Sequence, residues 1–431
     1  MNLSKASINL RNSFWFLPVV YGLISLVVVA LSTWVDLLYV SQLEGQLPKL
    51  FLSTEKVAQS LYGPLVTAIL TMTTISFSSI MVVLTTYSSQ FSPRVLQDFI
   101  SDRFTQHVLG IFVAGFVFAL VNLLLLTGKD SRIIVSPLLT VILAITCLLF
   151  FVLFIHHSAA FVQVNNLIEK IARKSLSLVE NKSELHEGEP FEKWDSWEIS
   201  ELKEDEGLPI YSKKMGYIQF IPYKKLIQIA TQSESVIRID ADVGRYVNPG
   251  TRLATVWSAD LSSFSESNVI NSIAIGTERI NEQDLEFSIQ KLVEIALRAI
   301  SPSINDPHTA INCTNRIGTI LSKIGHTYQP KEAFFDDKRN LRVLTEPKPF
   351  FQYLYKSFYQ IRHYGQDDVA MLNGILDALI LTADGQNEAI KRDVQKFHSY
   401  VINSIDLNGF PDLDRELLQH TSDELNRICK L

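Results

Sequence analysis

The run YGPLVTAILTMTTISFSSIMVVL, residues 62–84, decides how this chain is read. Not one Asp, Glu, Lys or Arg lies between Tyr62 and Thr86. A bilayer's hydrocarbon core needs about 20 apolar residues of helix to cross it. Working outward, three more runs meet that length: Phe14–Leu38, His107–Leu126 and Ile133–Ile155. The first has no charge within residues 14–33. Cleavable signal peptides have apolar cores of about 7–15 residues, so this run reads as a retained helix. Trp15 and Trp34 bracket it about 28 Å apart at the helical rise, matching two interfacial aromatic belts.

Composition divides the chain. Of 431 residues, 47% are apolar and 19% charged. Residues 1–165 carry a net charge of +2 and residues 166–431 a net charge of −8, so an apolar part precedes an acidic soluble part. That pattern excludes a disordered chain, a collagen-like chain and a small disulfide scaffold. The acidic balance argues against nucleic acid as a partner. Cys147, Cys313 and Cys429 form no CxxC or Cys/His cluster, so no metal site or disulfide framework is expected.

Basic residues set an orientation. Lys5, Arg11, Arg94, Arg103, Lys170, Arg173 and Lys174 fall on one side of four spans, and Lys49, Lys56, Lys129 and Arg132 on the other. The positive-inside rule then places both termini in the cytoplasm.

The second segment carries a pattern. At 100° per residue, Thr67, Thr71, Thr74, Ser78, Thr85 and Ser89 share a band about 60° wide, flanked at one turn by Met81 and Val82. Hydroxyls in a membrane helix can bond their own carbonyls or permit close helix packing. They can also line a water path, with Met81 and Val82 as an apolar constriction. With no ionisable residue present, a charged selectivity ring or a proton relay here is not supported.

Phe151–Leu178 has neither Gly nor Pro, and Phe161, Val164, Leu167, Ile168 and Ile171 recur at helical steps. The fourth span is expected to continue as an amphipathic stalk. An acidic stretch over 180–206 reads as a solvated linker. Four strand-like runs follow: Met215–Ile221, Leu226–Thr231, Val236–Ala241 and Arg252–Trp257. Gly244 and the Pro249–Gly250 pair supply a hairpin. The spacing is similar to the small barrels of lipoyl and biotinyl carriers, without a lysine at the tip, so it suggests a barrel-like shape and no covalent cofactor. Helices are expected over Glu282–Ile300, from an Asp306 N-cap with Pro307 first, and over Phe350–Ile361, Asp368–Leu381, Asn387–Ile405 and Asp412–Ile428.

Two blocks then stand together. One is Ser88-Ser89-Gln90-Phe91-Ser92-Pro93-Arg94 with Phe99-Ile100 and Asp102-Arg103. The other runs from Glu278-Arg279 through Gln283-Asp284, Phe287 and Gln290–Ala296 to Arg298-Ala299-Ile300-Ser301-Pro302 and Asn305-Asp306-Pro307-His308-Thr309-Ala310. With Gly216-Tyr217-Ile218-Gln219 they resemble the bacterial membrane-protein family called domain of unknown function 2254. Ile280 stands where that family often has Thr. The resemblance implies an integral protein of the bacterial inner membrane with a cytoplasmic domain, and implies no activity.

In the second block, Arg279, Asp284, Arg298, Asn305, Asp306 and His308 admit three readings: one packed polar network, a ligand pocket, or a hydrolytic centre on Asp306 and His308. No nucleophile or metal set joins those last two. The expected architecture is a four-helix membrane domain (1–160), a stalk and linker (161–208), a β-rich, barrel-like part (209–260) and a mainly helical part (261–431). The expected function is a homo-oligomeric ion channel or transport pore lined by the second helix. A membrane-anchored sensor or scaffold is the alternative, and a membrane enzyme a more distant one. The bilayer, further copies of the chain and an inorganic ion are the expected partners. No cofactor is expected.

Overall fold

A computed structural model describes residues 15–38, 53–90, 102–126, 133–184, 207–258, 264–328, 332–346 and 348–430. The chain divides into two compact units, Met1–Asn166 and Leu167–Leu431.

The first unit holds α1 (Phe16–Leu38), α2 (Glu55–Gln90), α3 (Arg103–Leu125) and α4 (Ser136–Val162). Each is long and apolar enough to cross a bilayer. The strands β1 (Ser53–Thr54) and β2 (Ile133–Ile134) pair antiparallel just before α2 and α4. At 36 residues, α2 outruns the 62–84 segment by a turn or more at both ends. There its polar residues continue the backbone hydrogen bonding that the apolar segment begins.

α3 is the central helix, packed on α1, α2 and α4. Small residues permit this. A Cβ on Gly110 would meet the Tyr21 ring at 2.7 Å, and one on Gly115 would meet Cys147 Sγ at 2.7 Å. Ser25 Oγ donates to the Ala114 carbonyl across the α1–α3 contact (2.7 Å).

Polar knots close both ends of the bundle. At one end, Asp36, buried in the last turn of α1, accepts from the Val135 and Ser136 backbone N–H groups (2.8 and 3.3 Å), and Tyr62 donates to Ser136 Oγ (3.1 Å). At the other, Asp102 caps α3 through the Thr105 N–H (3.2 Å) and pairs with His157 Nε2 (3.1 Å). Tyr21 and His107 Nδ1 are hydrogen-bonded there at 3.0 Å. His157 thus ties α4 to the cap of α3.

The expected unbroken stalk is corrected. α4 ends at Val162, Gln163 is extended (φ −72°, ψ 117°), and a separate helix, α5, runs from Val164 to Glu184. Asn166 causes the break locally. Its Nδ2 donates to the Ala160 carbonyl (2.9 Å) and to Gln163 Oε1 (3.1 Å), taking an acceptor that a continuous helix would give to Val164 N–H.

In the second unit, two ion pairs tie α5 to α9 (Pro307–Thr327): Arg316–Glu169 (2.6 Å) and Lys323–Glu180 (3.3 Å). The strands β3 (Leu208–Tyr211), β7 (Arg252–Ser258), β5 (Ser235–Ile239), β10 (Leu341–Thr345) and β9 (Glu332–Phe335) lie side by side in that order. All pair antiparallel except β5 with β10. A second sheet orders β6 (Tyr246–Val247), β4 (Gly216–Phe220) and β8 (Ala274–Gly276). Ile218 and Val247 of the small sheet share one core with Ile210, Ile237, Val256 and Val343 of the large one.

Three expectations fail here. Among the described residues of the second unit the strands form two sheets and no closed barrel. The Asn248–Thr251 turn does form, with Thr251 N–H on the Asn248 carbonyl (2.9 Å) and Gly250 at φ +88°. The strands it joins, β6 and β7, belong to different sheets, so it builds no hairpin. Leu226–Thr231 is not a strand but part of α6 (Tyr223–Gln232). Its Ile-Gln-Ile alternation mimics a strand, while Leu226 and Ala230, one helical turn apart, carry the burial.

The remaining helices are α7 (Glu266–Ser272), α8 (Leu285–Ala299), α9, α10 (Phe350–Tyr364), α11 (Val369–Ala383), α12 (Glu388–Ile402) and α13 (Asp412–Cys429). Asp284, Asp306, Asp368 and Asn387 cap α8, α9, α11 and α12. α9 crosses α11 closely: a Cβ on Gly318 would meet the Ala378 carbonyl oxygen at 2.8 Å.

Candidate functional site

The hydroxyl face of α2 comes first. Within its apolar stretch, α2 buries Tyr62, Ile69, Ser76, Ile80 and Val83. They lie about 180° around the helix from Thr67, and this buried side serves the contacts with α3 and α4. Thr67, Thr71, Thr74, Ser78, Met81, Val82 and Thr85 are all exposed on the opposite side. Met81 and Val82 are 59% and 61% exposed, so the apolar interruption is as open as the hydroxyls beside it. The Ser89 side chain lies outside the described residues, as do Phe91–Arg94, Phe99 and Ile100.

Helix geometry also determines what the hydroxyl protons do. Thr67 donates to the Gly63 carbonyl (3.1 Å), Thr71 to Thr67 (2.8 Å), Thr74 to Leu70 (2.9 Å) and Thr85 to Met81 (3.0 Å). Each proton is satisfied within the helix, and each oxygen keeps acceptor capacity facing outward.

The second candidate is the block around α8, where the structure separates what the sequence grouped. Arg279 and Asp284 sit at the N-terminal end of α8. Arg298, Asn305, Asp306 and His308 sit at or beyond its C-terminal end, roughly 22 Å away along a 15-residue helix. A single network joining all six is therefore corrected to two clusters.

At the first end, Arg279 makes a two-pronged bond to Asp284, Nε to Oδ2 (2.7 Å) and Nη2 to Oδ1 (2.8 Å). The same Oδ1 accepts the Phe287 N–H (3.0 Å), so one carboxylate both caps α8 and holds the guanidinium. The guanidinium lies 5.1 Å from the Phe287 ring centre and reaches Gln290 Oε1 (3.4 Å). Gly244, at φ +84°, passes so close that a Cβ there would collide with Asp284 Oδ2 and lie 2.8 Å from Arg279 Nη2. Burial opposes the Arg279 charge, yet the hydrogen bonds and field of Asp284 hold its pKa above the ordinary value. Gln283 bonds the Ile221 backbone on both sides (2.9 and 3.1 Å), and Gln219 donates to the Glu278 carbonyl (2.7 Å). These amides pin β4 and the residue after it to the block.

Glu286, in the first turn of α8, receives Lys348 (2.5 Å) and Lys356 (2.9 Å), with Arg279 Nη2 at 4.0 Å. Burial raises its pKa, but the two lysines overcome that and hold it below the usual carboxylate range. Neither Lys348 nor Lys356 carries a sequence signal, because both lie more than 60 residues from Glu286.

At the other end, Asp306 accepts the Thr309 hydroxyl (2.6 Å) and N–H (3.1 Å), and these bonds lower its pKa. Asn305 takes the left-handed conformation (φ +51°), and Asn305 and His308 are both exposed. The His308 backbone N–H and its nearby ring also help lower the Asp306 pKa, and the bonds to Thr309 commit the carboxylate to the start of α9. That arrangement is a helix cap rather than an acid–base pair.

Four apolar spans joined to a mixed α/β unit define a multi-pass membrane protein. The model of the family described as "Predicted membrane protein (DUF2254)" matches residues 11–380, and the chain belongs to that family. It is similar to an uncharacterized protein of Mycobacterium bovis, 26% identical over 406 residues, covering 90% of this chain and 74% of the relative. An uncharacterized protein of Mycobacterium tuberculosis strain H37Rv matches at the same identity and coverage. No solved structure matches the chain.

Proposed function

We propose that the chain acts as a homo-oligomer whose α2 helices surround a water path for an inorganic ion, with Met81 and Val82 as its apolar neck. The second unit serves assembly or regulation. The observation that carries this is the exposure of the hydroxyl face: the side of α2 away from α3 and α4 presents Thr67, Thr71, Thr74, Ser78 and Thr85 outward. A path along this face requires other copies, and a closed ring of copies would supply it. An apolar neck stops ions by excluding water. Val82→Ser or Met81→Ser is therefore expected to raise conductance in reconstituted bilayers, and Ser79→Ala, off the stripe, to change little. Correctly assembled neck variants with no current above background would refute the pore.

The internal satisfaction of the threonine protons favours a second reading. A hydroxyl bonded to its own carbonyl faces lipid at little cost, as an anchor helix needs. Under that reading neck variants carry no current, and the spans only hold a ligand-binding domain at the membrane. We place both termini in the cytoplasm of a bacterial cell on the seven-to-four distribution of basic residues. In intact cells, a Cys introduced at Gln46 is expected to be labelled from outside and one at Ser183 spared. The reverse pattern would overturn the orientation.

A further inference from the structure

On the exposed side of α2 the hydroxyl protons are already spent. A free hydroxyl both donates and accepts. Thr67, Thr71 and Thr74 each give their proton to the carbonyl one turn back, and Thr85 divides its proton between Met81 and Val82 (3.0 and 2.9 Å). Ser60, exposed and about 20° around the helix from Thr67, donates to the Val57 carbonyl (2.7 Å). Among the described hydroxyls of this face, Ser78 alone makes no such bond. What faces outward from Ser60 to Thr85 is a column of oxygen lone pairs about 38 Å long. The helix carries two charged residues, Glu55 and Lys56, both in its first turn. Glu55 is buried. Lys56 lies on the hydroxyl face, about 16 Å before Thr67 and about 38 Å before the Met81–Val82 neck. At a Debye length of about 8 Å its charge is largely screened at the neck.

We propose, resting on the reading of α2 as a pore wall, that the path selects monovalent cations over anions. Oxygen lone pairs replace part of a cation's hydration shell, as rings of carbonyl oxygens do in selective filters. An anion needs N–H or O–H donors or a basic side chain, and beyond Lys56 this face offers it only Ser78. The same face holds no carboxylate, the ligand that hard divalent cations take. Sodium and potassium ions are the class that a wall of neutral acceptors suits. Lys56 acts on ion concentration at the mouth. Selection falls to the neck, where water is scarcest and where Ser78 and Thr85 lie within one turn of Met81 and Val82.

The test is the reversal potential of the full chain in planar bilayers across a potassium chloride gradient, with Val82→Ser opening the neck. A several-fold preference for potassium over chloride is expected, with little current when calcium chloride replaces the potassium salt. Thr74→Val and Thr85→Val, each added to Val82→Ser, remove a ring of oxygens with little change in side-chain size. Each is expected to move the reversal potential toward zero, and either one decides the matter if the other fails to assemble. Lys56→Gln is expected to leave the preference for cations in place. Assembled neck variants without current refute the pore, and cation selection falls with it. Four results would overturn the cation assignment while the pore stood: chloride passing as readily as potassium, calcium passing as readily as potassium, a preference that Lys56→Gln reverses, or assembled threonine variants that leave the reversal potential unchanged.

Discussion

Two helix starts in the second unit share one local chemistry and differ in what stands behind it. Asp284 and Asp306 each accept the N–H three residues on, at 3.0 and 3.1 Å. As caps, each contributes about 0.5–2 kcal/mol. Asp306 adds the Thr309 hydroxyl to that bond and is partly exposed. Asp284 is 2% exposed and carries the guanidinium of Arg279, itself 17% exposed. Removing one partner of a buried pair costs about 3–5 kcal/mol, because the other charge stays buried. The nearby Glu286 at 4.0 Å softens this without replacing two direct bonds. Asp284→Ala should therefore cost several-fold more than Asp306→Ala. At about 2–4 °C per kcal/mol for a unit of this size, the expected shifts are roughly 10 °C and roughly 3 °C. Scanning calorimetry of the full chain in detergent reads both. The double variant Arg279→Leu/Asp284→Leu should recover part of the loss, since an apolar pair leaves no orphaned charge. Equal shifts for the two alanine variants, or a double variant no more stable than Asp284→Ala, would refute the reasoning.

Asp377 should show the opposite pH signature to a salt-bridged acid. Burial, and then the nearby charge of Glu424, raise its pKa. The folded state then binds its proton more tightly than the unfolded state, so stability falls as pH rises from the ordinary Asp value of about 3.9 through the raised one. Asp377→Asn is expected to stabilise the protein at pH 8 and to have little effect near pH 3.5, measured by unfolding at both. A gain larger at the acid pH would contradict it. Asp306, whose pKa is lowered, runs the other way: its contribution is present above the ordinary Asp value and is lost as pH falls below it, so the cost of Asp306→Ala should shrink on acidification.

What the sequence disclosed follows from which signals are local. The absence of charge over 62–84 was enough to find α2, since crossing a bilayer is a property of one segment. Asp306 before Pro307 announced its helix for the same reason. The parallel pairing of β5 with β10 was not legible, because Ile237 meets Val343 across more than a hundred residues of intervening chain. α6 was misread because Ile227 and Ile229 alternate with polar residues over too short a window for period to decide. The stripe on α2 was legible as an angle, but which face turns toward α3 and α4 depends on residues in those helices. The grouping of Arg279 with Asp306 failed for a plain geometric reason: neighbours in a block can be carried apart by the rigid helix between them.

Asp36 also bears on the order in which the chain is built. The first turn of α4 has no side-chain cap of its own, Val135 standing at that position. Its free N–H groups are met by a carboxylate contributed 99 and 100 residues earlier. During synthesis the first segment has long since left the ribosome when the fourth emerges. It has to remain beside the site where that helix will enter, and not drift off into lipid. The opening helix is thus a fixed template for the last one, and a chain that lost it during processing would deliver α4 to the bilayer with its leading donors bare.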